Sequence, residues 1–302
     1  MNGTTALSPW LPTAPCTPGH CAAHPESAHR RSGADADPAG VVRAVVRLIA
    51  GLGTVLLGLL LAPPAGLLPA ATRLALVRYW MRVVVRAFGV HVRYEGPAAP
   101  AGGPLLVVAN HVSWLDIPLI AAVLPGRTVA KSEVRRWPVL GTLAALGGTL
   151  FIDREGIMAL PGTVRTMAGV LAGGGRVVVF PEGSTWCGRE RGRFRPAAFQ
   201  AALDAGCAVQ PIRLDYGPTA AAAYVGADPL GSSLWRVVSA RRLTAVVRLR
   251  EPLPGALYPD RRALAAAAQR AVASDSANLP SLSVHQRSSS RSASASSART
   301  PA

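Results

Sequence analysis

Lysine is almost absent from this 302-residue chain: Lys131 is the only one, and arginine supplies the rest of 32 cationic residues set against 16 acidic ones, for a formal net charge of +16. Anionic partners are therefore expected. Aromatic residues make up only 5 % of the chain. No aromatic-bearing RNA-binding strand motif and no zinc-finger spacing accompanies the charge, so nucleic acid is not expected as a partner and an anionic membrane surface fits better. Cysteine is scarce too: Cys16, Cys21, Cys187 and Cys207 are too few and too scattered for a disulfide framework. Cys16, His20, Cys21 and His24 match no zinc spacing, and no metal is expected. The first 30 residues lack the apolar core of a secretory signal, which makes the cytoplasmic face of the cell membrane the expected location. No G-x-S-x-G elbow occurs, so direct attack by a substrate hydroxyl is preferred over a covalent enzyme intermediate.

What is present divides the chain. Residues 1–40 are rich in Pro, Ala, Ser and His, and residues 276–302 in Ser and Arg. Both read as disordered tails with too little apolar surface to offset chain entropy. Residues 41–89 read as a membrane-associated helical segment. Between Arg47 and Arg73 run 25 uncharged residues, but Pro63-Pro64 is expected to end a helix over Leu48 to Ala62. That helix is short of a hydrocarbon core, which leaves a dipping hairpin or an interfacial helix pair open beside a span. Arg43 and Arg47 on one side and Arg73, Arg78, Arg82 and Arg86 on the other favour both ends on one leaflet. The four-residue recurrence of Arg78, Arg82 and Arg86 describes either a basic stripe on lipid headgroups or a buried helix with a solvated edge.

Residues 90–275 read as one α/β domain with a mostly parallel central sheet covered by helices. Short β-branched runs (HVRYEG, PLLVVAN, TVAK, TLFIDR, RVVVFPEG, CAVQPIRL, TAVVRLR) alternate with helical patterns at Leu115–Leu124, Val134–Leu146, Ile157–Leu171, Pro196–Ala205 and Arg261–Val272. In such sheets, sites form where loops leave the carboxyl ends of strands. Four exits carry polar residues: Asn110-His111, Lys131, Asp153-Arg154 and Glu182-Gly183-Ser184.

His111 sits in NHVSWLDIP with Asp116 five positions later. On one helix the two would lie roughly 140° apart, so they can meet only with His111 in the loop and Asp116 in the first helical turn. Ser113 as N-cap and Asp116 three residues on have the form of a capping box. The bland alternative is that Asp116 only caps a helix and His111 is incidental. The sharper reading is a carboxylate-braced imidazole that takes a proton from an attacking alcohol. Backbone amides near Gly183 or after Ser113 are the expected oxyanion donors.

NHVSWLDIP resembles the H-x4-D block of the glycerophospholipid acyltransferase family, to which the 1-acylglycerol-3-phosphate acyltransferases belong. GTLFIDR, FPEGST and the Pro-containing AVQPIRL resemble the family's other blocks, in order, over roughly residues 70–250. The resemblance implies an acyltransferase in which His111 is the general base, Asp116 its partner, Arg154 a contact to the acceptor's phosphate, and Glu182, Gly183 and Ser184 part of the acceptor pocket. Lys131 is a second phosphate candidate or a surface charge. Arg193 opens a basic-aromatic-basic triplet of the family's kind, here followed by Pro196 instead of glycine. The implied acceptor is a lysophospholipid, first 1-acyl-glycerol-3-phosphate, with lyso-ornithine lipid or a catalytically silent lipid-binding role as alternatives. The implied donor is acyl-CoA or acyl carrier protein, with no further cofactor.

Overall fold

The computed structural model describes Cys16 and residues 38–137, 140–152, 159–226 and 228–274. Asp153 and Arg154 lie outside the described residues, as do 1–37, Cys16 excepted, and 275–302. Cys16 itself is buried against Cys187 and Val225.

The first elements are two helices, α1 (Pro38–Ala65) and α2 (Ala70–Ala87), which pack on each other. α1 does not stop before Pro63: both prolines fall in its last turn, and Gly66 N–H closes that turn on Ala62 and Pro63 carbonyls. Prolines so near a helix end cost few backbone bonds. The helix also starts ten residues before Leu48, because Arg43 and Arg47 do not interrupt it. Its 28 residues give roughly 42 Å at ~1.5 Å per residue, beyond a ~30 Å hydrocarbon core. By length and composition α1 can cross a membrane, and only 11 % of its most apolar window is buried. Ile49, Leu56, Leu57 and Leu60 are all exposed.

Two contacts hold this hairpin to the rest of the protein. A Cβ at Gly51 would lie 2.4 Å from the Phe88 ring, so only glycine lets α1 approach the end of α2. Arg47 donates to the Val238 and Ala240 carbonyls at 3.1 and 2.7 Å, capping the end of α8 (Leu230–Ser239). On α2, Val84 and Val85 are buried whereas Arg82 and Arg86 are exposed, so its inner half joins the core and its basic edge stays open.

The sheet has the order β1-β7-β6-β2-β5-β3-β4, with β8 (Leu253–Pro254) on β6. β2 (Leu105–Ala109), β3 (Arg127–Lys131), β4 (Leu150–Ile152), β5 (Arg176–Val179) and β6 (Ala208–Gly217) are mutually parallel. β7 (Leu243–Leu249) is antiparallel to β6 and parallel to β1 (Val90–Glu95). The result is a mixed, mostly parallel sheet flanked by helices, as the alternating pattern predicts. β2 is buried along its whole length, the signature of a central strand covered on both faces. Alternation sorts its side chains. Leu105, Val107 and Ala109 face a core shared with α2, α3 (Asp116–Ala121) and α8, against which Leu48 and Val55 of α1 also pack. Leu106 and Val108 face the opposite core, built from α5 (Leu160–Ala172), α6 (Ala197–Asp204) and α9 (Arg261–Ala273). The sheet thus separates a layer bearing the apolar hairpin from one bearing α5, α6 and α9. Smaller pieces complete the described residues: 3₁₀ turns at Ser132–Arg136 and Gly255–Leu257, α4 (Leu140–Leu146) and α7 (Thr219–Ala222).

Candidate active site

Three neighbouring parallel strands, β6, β2 and β5, end side by side, and their exits build one cluster. His111 follows the end of β2 after one residue, Asn110. Its Nδ1 lies 2.7 Å from Asp116 Oδ2. Asp116 is the first residue of α3, not its third as expected, but the capping logic survives: its Oδ2 accepts the Val112 and Ser113 amides at 2.7 and 2.9 Å. Ser113 Oγ accepts the Leu115 amide at 3.3 Å. The tight turn at 113–116 therefore swings the carboxylate back under the imidazole. α3 is also shorter than the expected Leu115–Leu124 helix and continues as turns to Leu124.

Asp116 is fully buried and so depends on its donors. The fourth is the Tyr216 hydroxyl, which reaches Asp116 Oδ1 from the end of β6. Burial, together with the Asp116 charge and hydrogen bond, holds the Tyr216 phenol well above its ordinary pKa, so it remains a donor. A carboxylate receiving four donors is an acceptor for His111, which puts the imidazole proton on Nδ1 and leaves the Nε2 lone pair for chemistry. The ring is largely covered, with 17 % of its side chain exposed. Phe180, at the end of β5, stacks on it with centroids 4.0 Å apart and planes 17° apart, fixing its orientation.

The loop after β5 clamps the histidine backbone. Glu182 Oε2 accepts the His111 amide at 3.0 Å, and the Trp186 amide donates to the His111 carbonyl at 2.7 Å. Glu182 is buried, and burial pushes its pKa up to about 8, tempered first by the His111 amide. The Gly192 backbone amide also meets this carboxyl and lowers its pKa in the same sense. Asn110 completes the frame, exchanging both side-chain bonds with the Leu214 backbone at 2.8 and 2.9 Å, which pins the β2 exit to β6.

Among the residues singled out from sequence, His111, Asp116 and Glu182 come together. Gly183 and Ser184 lie on the same loop, half-buried. Among the amides near the expected oxyanion positions, Gly183 N–H donates to the Phe180 carbonyl at 3.0 Å and Leu115 N–H to Ser113 Oγ at 3.3 Å. Lys131 is exposed at the end of β3, and Arg193 is exposed beyond the Glu182 loop. Arg154 lies outside the described residues. Tyr216 and Phe180 carry no role in the sequence reading. Drawing β6 to its true end at Gly217 exposes the signal for Tyr216, an aromatic hydroxyl at a strand exit.

Comparison with known proteins places this cluster in context. The family model described as Acyltransferase matches residues 91–215, which span His111, Asp116, Glu182 and all but the last two residues of β6. A lyso-ornithine lipid O-acyltransferase from Pseudomonas aeruginosa is 40 % identical over 243 residues, covering 76 % of this chain and 92 % of that protein. A 1-acyl-sn-glycerol-3-phosphate acyltransferase from Neisseria gonorrhoeae is 37 % identical over 199 residues, covering 63 % and 77 %. The crystal structure of the acyltransferase PlsC from Thermotoga maritima shares the fold, with a TM-score of 0.60 at 21 % identity over 78 % of this chain and 93 % of that one.

Proposed function

The chain belongs to the acyltransferase family, among the lysophospholipid acyltransferases, and from that premise we propose that it transfers a fatty acyl group from acyl-CoA or acyl carrier protein to a lysolipid hydroxyl, with His111 as general base. The observation that carries the reading is the His111 imidazole braced by Asp116 beyond the carboxyl end of a central strand.

In this mechanism the acceptor hydroxyl gives its proton to His111 Nε2 as its oxygen attacks the thioester carbonyl. Asp116 holds the tautomer and stabilises the imidazolium that forms. That attack forms the new ester C–O bond, and collapse of the tetrahedral intermediate re-forms the carbonyl and breaks the C–S bond. A thiolate, with an ordinary thiol pKa of about 8.5, leaves with little assistance and is then protonated by the imidazolium. No cofactor beyond the donor is called for.

The apolar α1 and the lipid-acylating relatives support membrane association. The flanking arginines support docking on anionic lipid at the cytoplasmic face. Two acceptors fit. The higher identity and longer overlap with the lyso-ornithine lipid enzyme favour that acceptor; 1-acyl-glycerol-3-phosphate, favoured by the expected role of Arg154, is second. The test is a labelled acyl-CoA assay with the membrane-bound protein and a panel of lyso-ornithine lipid, 1-acyl-glycerol-3-phosphate and lysophosphatidylcholine. Label is expected in the product of one of the first two. Absence of transfer to every lysolipid, with acyl-CoA or with an acyl carrier protein donor, would refute the reading.

A further inference from the structure

The arginines of α2 do not share one environment. Arg82 and Arg86 are exposed, and Arg82 lies over the Tyr94 ring, 5.8 Å from its centroid. Arg78 is half-buried, and its Nε is enclosed with no hydrogen-bond partner among the described residues. A second arginine faces the same layer. Arg176 opens β5 and, by the alternation of a strand, points to the face of Val178, whose core contains Val84 and Val85 of α2. Its Nη2 donates to the Pro100 carbonyl at 2.8 Å, while Nη1 is enclosed without a partner among the described residues. The approach to β3 fixes the base of this side chain, since a Cβ at Gly126 would lie 3.0 Å from Arg176 Cβ.

Two guanidinium cations meet here without an anion. Burial first, and the charge of Arg78 second, hold the Arg176 guanidinium below its ordinary pKa. Neither arginine pairs with a carboxylate among the described residues. Elsewhere the fold neutralises its half-buried arginines: Arg236 pairs with Asp228, and Arg248 with Glu95 and Asp215. An enclosed N–H of a charged group is costly unless an acceptor meets it. The acceptor that fits carries negative charge and offers oxygens to two forks at once. A carboxylate is filled by one guanidinium fork, whereas a phosphate has oxygens for both.

We infer that Arg78 and Arg176 form a phosphate site between α2 and the amino end of β5, separate from the catalytic cluster. Arg176 stands at the opposite end of β5 from Phe180, which stacks on His111. Four residues of strand at ~3.3 Å each put roughly 13 Å between the two. Occupancy therefore neutralises the pair and joins α2 to the sheet without touching the imidazole. The phosphate has two possible sources. One is the headgroup of a membrane lipid: Arg78 lies about two turns into α2, between the exposed Leu67 at the hairpin tip and the body of the sheet, and beside the exposed Tyr79. The other is free inorganic phosphate.

The experiment follows thermal unfolding of the full-length protein by circular dichroism in a maltoside detergent, which brings no phosphate. One arm titrates potassium phosphate against potassium chloride of equal ionic strength. The other titrates dihexanoyl phosphatidylglycerol against dihexanoylglycerol. Arg78→Gln and Arg176→Gln each remove one charge. The wild-type melting temperature is expected to rise in at least one arm, and each variant should need about tenfold more ligand for half the effect, the loss of one charge-assisted contact. Without phosphate the order should reverse, because relief of the repulsion lets Arg78→Gln melt at or above the wild-type temperature. A response to inorganic phosphate alone assigns the free anion, a response to the lipid alone assigns a membrane headgroup, and a response to both assigns the shared phosphate group. No stabilisation in either arm overturns the inference. So does an equal ligand midpoint in all three forms, which would place the bound phosphate elsewhere, or a phosphate-free melting temperature far below wild type in both variants. Neither arm uses acyl transfer, so failure of the function proposed above leaves this outcome untouched.

Discussion

Replacing Glu182 by Gln should flatten the dependence of stability on pH. Glu182 is buried with one oxygen on the His111 amide, and its carboxyl is pushed from 4.5 up to about 8, burial being the largest cause. Between those values the folded protein holds a proton that the unfolded chain has released. Stability from this group is therefore complete below about pH 4.5 and is lost as pH rises through about 8. Each pH unit inside the window costs up to about 1.4 kcal/mol, so going from about pH 6 to about pH 8 removes roughly 2 kcal/mol. For a domain of this size that lowers the melting temperature by about 4–8 °C. Gln keeps the carbonyl that accepts the His111 amide but cannot ionise, and its melting temperature should vary less over the same range. Thermal melts of both forms in detergent, followed by circular dichroism, measure the difference of slopes, which cancels every other titrating group. Parallel curves for wild type and Glu182→Gln would refute the protonated-Glu182 argument.

Tyr216→Phe removes one of four donors to Asp116 and is expected to lower kcat about tenfold with KM nearly unchanged, the cost of one hydrogen bond to a charged group; an unchanged kcat would show that the other three donors suffice. Gly192→Ala puts a Cβ 2.4 Å from Trp186 Nε1, so a loss of about 1–3 kcal/mol is expected, read as a lower melting temperature with a shift in tryptophan emission. Arg47→Ala deletes two bonds to the end of α8 and should cost about 1–3 kcal/mol in a thermal melt, while leaving membrane association, measured by flotation, intact.

The strands were legible because a two-sided buried sheet demands β-branched runs, and every run from HVRYEG to TAVVRLR overlaps one of β1 to β7, with ends that differ by a few residues at most. The His111–Asp116 pair was legible because helix geometry forbids their meeting except across a loop-to-helix junction. Tyr216 was not, because its contact with Asp116 spans 100 residues and depends on β6 lying next to β2, an order that local periodicity does not encode. The same holds for Phe180 on the far side of β2. α8 has no helical signature in the sequence because LGSSLWRVVS carries Gly and three serines, weak helix formers; tertiary contacts hold it instead, with Ser233 Oγ accepting from Trp114 Nε1 at 3.2 Å and Arg47 capping its end. α1 runs well beyond the expected Leu48–Ala62 because Arg43 and Arg47 continue the helix, Arg47 turning across to α8.

The most direct test of the account is single-turnover acyl transfer by His111→Ala beside wild type, each with the preferred lysolipid and each checked for an unchanged melting temperature. Loss of the base should slow the chemical step by about 10²–10⁴-fold, and Asp116 keeps its other three donors in the variant, so the fold should hold. Transfer within a few-fold of wild type would contradict the assignment of the imidazole as the proton acceptor.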